Sequence, residues 1–426
     1  MFVGVWTRPL FTFIYAFPAL ISYRAAKFFS VILSVGTAWQ TWRLAKHYGL
    51  ERSELAIPFL FFQPSFLLLS ADTMTEIIFA FVFIVALRLH EKGYVKVGAI
   101  AASFMLLARP EGFFLGIMWG VFVLFDKRVG EKIWQRCAWS LLLATGAIIW
   151  ILASWRITGD VLYIKHNWPS QWDATGAAYG HGNIFGYLMR LPEIAGPLLM
   201  VPLVFGLALL LKRRILPRVT SSFLTLFILH SVFWQFGLFG SAGYPRYFVC
   251  VAPAIAIIML AGWNEFAMKF ANIYKPLRTS LAILVIIVSA WLSFLYVDAA
   301  AWSRDARAVE DMTQWFRANP KPITKLVWSQ GYMNIALDHD PYEKPSFTGD
   351  RAKNLEILRD MPKNTLVFWD LRTGPAFHAI SADDIESAGF KRLNSKEYVL
   401  QGYVIQRPWF GYGGPREQAM YLLYKE

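Results

Sequence analysis

Two carboxylates four residues apart, Asp72 and Glu76, lie in "LLLSADTMTEIIFAFVFIV", between long apolar runs. If the helix that follows starts a turn early, both share one face. A carboxylate there can take the proton of a hydroxyl or help hold a divalent cation. Ionisable groups at membrane depth are costly, and function is the usual reason for keeping them. A plainer reading stays open, with Asp72 as a helix N-cap and Glu76 favoured by the helix dipole. Glu76 lies deeper, and capping explains it less well.

The next turn of this kind, "LLARPEGFF", supplies Arg109 and Glu111. Its arginine suits a lipid phosphate, or simply reaches up to the interface. "GSAGYPRYFVCVAP" sets Arg246 between Tyr244 and Tyr247. A guanidinium at the mouth of a helix bundle can clamp phosphate, and tyrosines are common at the membrane surface. A long segment, "YIKHNWPSQWDATGAAYGHGN", adds Lys165, His166, Trp168, Trp172, Asp173 and His181. These aromatic and hydrogen-bonding groups suit a sugar, or they anchor an interfacial helix. Their spacing matches no metal signature closely. His47 and His90 fall away from this set, and His230 reads as a packed, hydrogen-bonded helix residue. The membrane part contains no Walker-type or dinucleotide-binding loop, which argues against an ATP-driven pump.

The elements that must position these residues are apolar. The 426 residues are 56% hydrophobic and only 17% charged, too greasy for an ordinary soluble domain. Windows approaching ~20 apolar residues recur, the length of a membrane-spanning helix and not of a barrel strand. The predicted fold is an α-helical polytopic membrane protein of about ten helices. They cover Phe28–Leu44, Ala56–Ser70, Thr75–Leu89, Val97–Ala108, Gly112–Phe125, Cys137–Trp155, Ala195–Leu211, Thr220–Leu238, Phe248–Phe266 and Thr279–Val297. Leu10–Ser22, interrupted by Pro18, reads as an interfacial or re-entrant helix.

One set of loops is basic, holding Arg43, Lys46 and Arg52, then Arg88, Lys92 and Lys96, and so on to Arg278. These alternate with the poorer loops that carry Asp72, Arg109 and Arg246. The positive-inside rule puts the basic set in the cytoplasm and the candidate site on the exoplasmic side. The same rule explains the net charge of +13 without nucleic acid. The two cysteines, Cys137 and Cys250, form no disulfide framework or zinc motif. Residues 300–426 are turn-rich and hold no span, with strand-like "TKLVWSQGY", "NTLVFWDLR" and "YVLQGYVIQRPWF" and helical "ARAVEDMTQWFRA" and "AKNLEILRDM". The expected domains are therefore a membrane part, 1–299, and a small exoplasmic α/β or α+β domain, 300–426.

The run "WTRPLFTFIYAFPALI", then "PFLFFQPSFLLLSADTMTEIIFAFVFIVALRLHEKG", "LLARPEGFFL" and "GYPRYFVCVAPAIAIIMLAGW" resembles the GT-C glycosyltransferases. It is nearest the bacterial relatives of protein O-mannosyltransferases and aminoarabinose transferases, over most of residues 6–265. The resemblance implies a bacterial inner-membrane enzyme that moves a hexose- or mannose-like sugar, usually with inversion. The donor would be a polyprenyl-phosphate-linked sugar, and the acceptor a glycan, lipid or protein on the exoplasmic (periplasmic) side. By motif position, Glu76 matches the family's acidic residue at the second outer turn. Arg8 matches the basic residue before proline in the first outer loop, and Arg246 the arginine of the later turn. The family's principal catalytic Asp precedes this motif, and no Asp or Glu precedes Glu51 here. A start upstream of Met1 is the expectation this raises. The rival readings are a lipid-linked saccharide transporter or flippase, and a non-catalytic copy of the fold.

Overall fold

The computed structural model describes residues 3–5, 8–168, 181–269, 275–299, 302–328, 337, 350–371, 373–400 and 416–426. The chain divides into two compact units, one up to Phe294 and one from Leu295 onward.

The first unit is helical. It opens with α1 (Pro9–Ile21), α2 (Tyr23–His47), α3 (Ala56–Phe61) and α4 (Pro64–Leu69). Next come α5 (Thr75–Glu91), α6 (Val95–Ser103), α7 (Met105–Ala108), α8 (Glu111–Phe125), α9 (Ile133–Ser140) and α10 (Thr145–Thr158). The short α11 (Tyr163–His166), α12 (Gly186–Met189) and α13 (Leu191–Ala195) precede α14 (Met200–Arg213) and α15 (Pro217–Phe236). The unit closes with α16 (Ala252–Lys269) and α17 (Lys275–Ala299), which runs across the division.

The core follows from composition. On α5, Ile77–Ala80, Phe83, Ile84, Ala86 and Leu87 are all buried, and on α16 every residue from Ala252 to Leu260 is buried. Helices apolar on every side belong in the middle of a bundle. Gly206 and Gly262 let α14 and α16 touch: a Cβ on either would come within 2.1 Å of the other helix's backbone oxygen. Small residues at such a crossing are how membrane helices pack closely.

The outside is apolar too. Ile148, Ile149 and Leu152 on α10, and Leu284, Ile287 and Trp291 on α17, are exposed. Contiguous apolar surface of this kind suits hydrocarbon, not water. By length and hydropathy, three helical stretches among the described residues suffice to cross a bilayer: Ile133–Thr158, Pro217–Phe236 and Pro245–Lys269. Shorter apolar helices accompany them, including Val95–Ala108 and Glu111–Phe125. This measure does not reach the ten spans expected from sequence. One reason is visible at Ala56–Ser70, where Gln63 is extended before Pro64 and splits the run in two.

The second unit is α/β. Its elements are α18 (Trp302–Ala318), β1 (Lys325–Trp328), α19 (Arg351–Asp360), β2 (Thr365–Asp370), α20 (Thr373–His378), α21 (Ala382–Ser387), β3 (Phe390–Leu400) and β4 (Arg416–Lys425). The sheet order is β1-β2-β4-β3, with β1 and β2 parallel and the other pairs antiparallel. β2 alternates cleanly. Leu366 and Phe368 meet Val309, Met312 and Phe316 of α18, while Val367 and Trp369 face Leu358, Ile380 and Ile385. Burial on both faces explains its unbroken apolar run. Of the third expected strand, only Tyr398–Leu400 is described, as the end of β3.

Candidate functional site

Three turns from separate parts of the sequence converge at one end of the helical unit. The first ends in Met74, which is extended, so α5 starts at Thr75 and places Glu76 in its first turn. The second is "ARPEG". Arg109 is extended, Pro110 begins the turn, and Glu111 opens α8. Gly112 makes that turn possible, because a Cβ there would lie 2.3 Å from the backbone nitrogen of Leu106. The third is Gly243–Tyr247, where Gly243 has a φ of +66°, a left-handed value natural to glycine. Pro245 then starts a 3₁₀ turn that carries Arg246 and Tyr247.

Arg109 is the hinge of the cluster. It binds Glu111 through both Nε and Nη2, at 3.1 and 2.7 Å. Its Nη1 lies 2.8 Å from Glu76 Oε1 and donates to Thr75 Oγ1 at 3.0 Å. The Thr75 hydroxyl in turn donates to Glu76 Oε2 at 3.2 Å. Glu76 is fully buried and Glu111 nearly so. Buried charges survive only when paired in this way. Every edge of the Arg109 fork is thus committed to protein groups.

Arg246 differs. Its Nε lies 3.6 Å from Glu76 Oε1, and its side chain is 39% exposed. The guanidinium stands 5.0 Å from the ring centre of Tyr244, which is itself exposed. Tyr247 lies between the charges: Arg109 is 5.7 Å from its ring centre, and its hydroxyl accepts from Ala242 N. Arg8 is buried against the Trp150 ring at 5.6 Å, with Glu111 and Arg109 as its charged neighbours. Two carboxylates thus face three guanidiniums. The surplus is positive, and Arg246 is the most accessible of the three.

Asp72 stands apart. Its carboxylate accepts from Thr73 N and lies 3.8 Å from Lys27 Nζ, with a third of the side chain exposed. It does not cap α5, nor does it share a helical face with Glu76, because the helix begins three residues after it. His166 is also elsewhere among the contacts, paired with Asp160 at 2.8 Å. Trp168 is 39% exposed. Asp173 and Trp172 lie outside the described residues.

His230, which the sequence alone does not assign to this group, belongs to it. It stacks on Tyr247 with ring centres 4.6 Å apart, and its Nε2 is 3.7 Å from Glu111 Oε1. It is packed, as the sequence suggests, but neither nitrogen has a hydrogen-bond partner among the described residues. No spacing on α15 marks it, since its neighbours come from α8 and the Gly243–Tyr247 turn. A divalent cation does not fit this cluster, because Arg109 already engages both carboxylates. Among the described residues, no three His, Cys, Asp or Glu side chains converge to hold a metal ion.

At the other end of α5, ~24 Å away by helical rise, a second buried network closes the bundle. His90 accepts from Trp119 Nε1 at 2.9 Å and meets Asp126 at 3.2 Å, while Arg218 bridges Glu91 and Asp126. This end carries the basic loops.

No family model and no curated protein matches the sequence. The fold does have solved counterparts. It is similar to ArnT from Cupriavidus metallidurans bound to undecaprenyl phosphate, with a TM-score of 0.56 and 11% identity. The match covers 97% of this chain and 87% of ArnT. ArnT in the apo state superposes with a TM-score of 0.54 at 10% identity, with the same coverage. At this identity the likeness establishes a shared fold and nothing finer.

Proposed function

We propose that the chain is a membrane glycosyltransferase whose donor is a sugar linked to a polyprenyl phosphate. Its acceptor, a glycan, lipid or protein, would meet that donor at the end of the bundle holding Arg246. The observation that carries this reading is the accessible Arg246 guanidinium, held beside Glu76 in a cluster where three guanidiniums face two carboxylates. The ArnT fold supports it, since one ArnT structure is bound to undecaprenyl phosphate. Localisation in a bacterial inner membrane, with the site and the second unit on the exoplasmic face, belongs to the same proposal. So does the hexose-like class of the sugar.

In this reading, the acceptor hydroxyl oxygen forms a bond to the sugar C1 as the C1–O bond to the lipid phosphate breaks. The electron pair leaves on the phosphate, and Arg246 stabilises the growing charge, with Arg8 adding to the positive field. Glu76 then positions Arg246. A fully buried carboxylate paired at 2.8 Å has little room to accept a proton. Asp72, outside that ion-paired cluster but only three residues before Thr75 and a third exposed, is the carboxylate left open to an acceptor and is proposed to take the hydroxyl proton. A transporter would gather its polar residues near the bilayer midplane, whereas this cluster sits at helix ends.

The test is sugar transfer from a polyprenyl-phosphate donor by the purified chain. Arg246→Gln is expected to cut kcat about 10²-fold or more, and Asp72→Asn about 10²-fold with donor binding retained. Transfer unchanged in both variants removes the assignment.

A further inference from the structure

One face of α2 is exposed along its whole length and points to a separate ligand. Phe28, Ile32, Val35 and Trp39, three or four residues apart, and Val31 beside them are all solvent-accessible large apolar residues. From Phe28 to Trp39 the stripe climbs about 16 Å, close to the ~15 Å of hydrocarbon in one leaflet. It ends in cations. The guanidinium of Arg43 lies 5.6 Å from the Trp39 ring centre, and that of Arg88, from α5, lies 5.8 Å from the same ring. One turn further, Lys46 stands 6.0 Å from Trp42.

Among the described residues neither Arg43 nor Arg88 pairs with a carboxylate, whereas Arg109, Arg128, Arg213 and Arg218 do. Arg88 donates Nη1 to Gln40, which is neutral, and its buried Nε has no acceptor among the described residues. Arg43 is close enough for its charge to act on Arg88. Holding two guanidiniums together without an anion is unfavourable, and a buried donor left without an acceptor adds to the cost.

We infer that Arg43 and Arg88, with Trp39 between them, bind the phosphate headgroup of an anionic glycerophospholipid whose acyl chain lies along Phe28–Val35. Planar guanidiniums suit a phosphate diester, and basic pockets between helices at a membrane surface favour such lipids. This site lies at the basic-loop end of α2 and α5, opposite the Glu76 cluster, and does not depend on the proposed reaction.

The experiment is native mass spectrometry of the full chain released from vesicles of equal phosphatidylglycerol and phosphatidylcholine. The wild type should retain one phosphatidylglycerol in preference to phosphatidylcholine. Arg43→Gln, an exposed change that leaves the packing intact, should weaken retention about fivefold. With Arg88→Gln added, the loss should reach about 30-fold. A control that removes Lys127 and Lys212, exposed cations near other basic helix ends, should retain the lipid as the wild type does. Equal retention of the two lipids by the wild type, undiminished retention in Arg43→Gln, or equal loss in the control would each overturn the site. Inorganic phosphate that competes the lipid away would show headgroup binding without the acyl track, and would overturn that part.

Discussion

Replacing Arg109 with Leu tests the electrostatic design of the bundle mouth. The side chain makes four polar contacts of 2.7–3.1 Å, two to Glu111, one to Glu76 and one to Thr75. Its loss leaves two buried carboxylates with Arg246 at 3.6 Å, His230 at 3.7 Å and the charge of Arg8 near Glu111. Removing one partner from a buried ion pair typically costs about 3–5 kcal/mol. The structure supplies its own reporter, because Cys250 is free, fully buried and close enough to feel the Arg109 charge. In a Cys137→Ser background, alkylation of Cys250 in detergent then follows opening of this end. The expected effect of Arg109→Leu is a rate increase of roughly 10²- to 10³-fold. Adding Glu76→Gln and Glu111→Gln removes the stranded charges, and should bring the rate back to within about tenfold of the parent. A single-variant increase below about threefold, or a triple variant that opens as fast as the single one, refutes the reasoning.

Other consequences can be checked in the same preparation. Gly112→Ala should destabilise the "ARPEG" turn by about 1–3 kcal/mol, since its Cβ would meet the Leu106 backbone at 2.3 Å; the thermal midpoint in detergent measures it. Gly262→Ala should push α14 from α16 by a comparable cost, and lowers the same midpoint. In the second unit, hydrogen bonds from Arg351 hold the Asp384 carboxyl down from 3.8 to about 2. Because the folded value lies below the unfolded one, the stability this pair contributes is present above about pH 4 and is lost as pH falls towards 2. Asp384→Asn should remove that part of the acid dependence, read from the Trp fluorescence of the full chain on acid titration.

Much of the site was legible because turns advertise their contents. "TMTE", "ARPEG" and "GYPRY" each put a charge where a span begins, and alternation of the loops put all three on one end. The structure joins Glu76, Arg109, Glu111, Arg246 and Tyr247 as that alternation implies. It separates Asp72, because the helix starts at Thr75, three residues after it, and Asp72 lies on the preceding turn. It also changes what the pieces do. A sequence shows that Arg109 and Glu111 are near each other, but not that the guanidinium is saturated by two carboxylates and so withdrawn from any ligand. His230 was illegible as a member of the cluster, since its partners come from distant segments. The helices were legible from apolar runs, yet Pro64 divides one run, and Ser103 to Met105 breaks another into α6 and α7. In the second unit, β2 was plain from its uninterrupted apolar residues, whereas the order β1-β2-β4-β3 has no local signature.

The most direct test of the central claim is binding of undecaprenyl phosphate to the purified chain, by titration in detergent with the Arg246→Gln variant alongside. The account predicts saturable binding by the parent, and affinity reduced about tenfold or more in the variant, with Cys250 still protected from alkylation. Binding of equal strength in parent and variant, or no saturable binding by a folded parent, would contradict it.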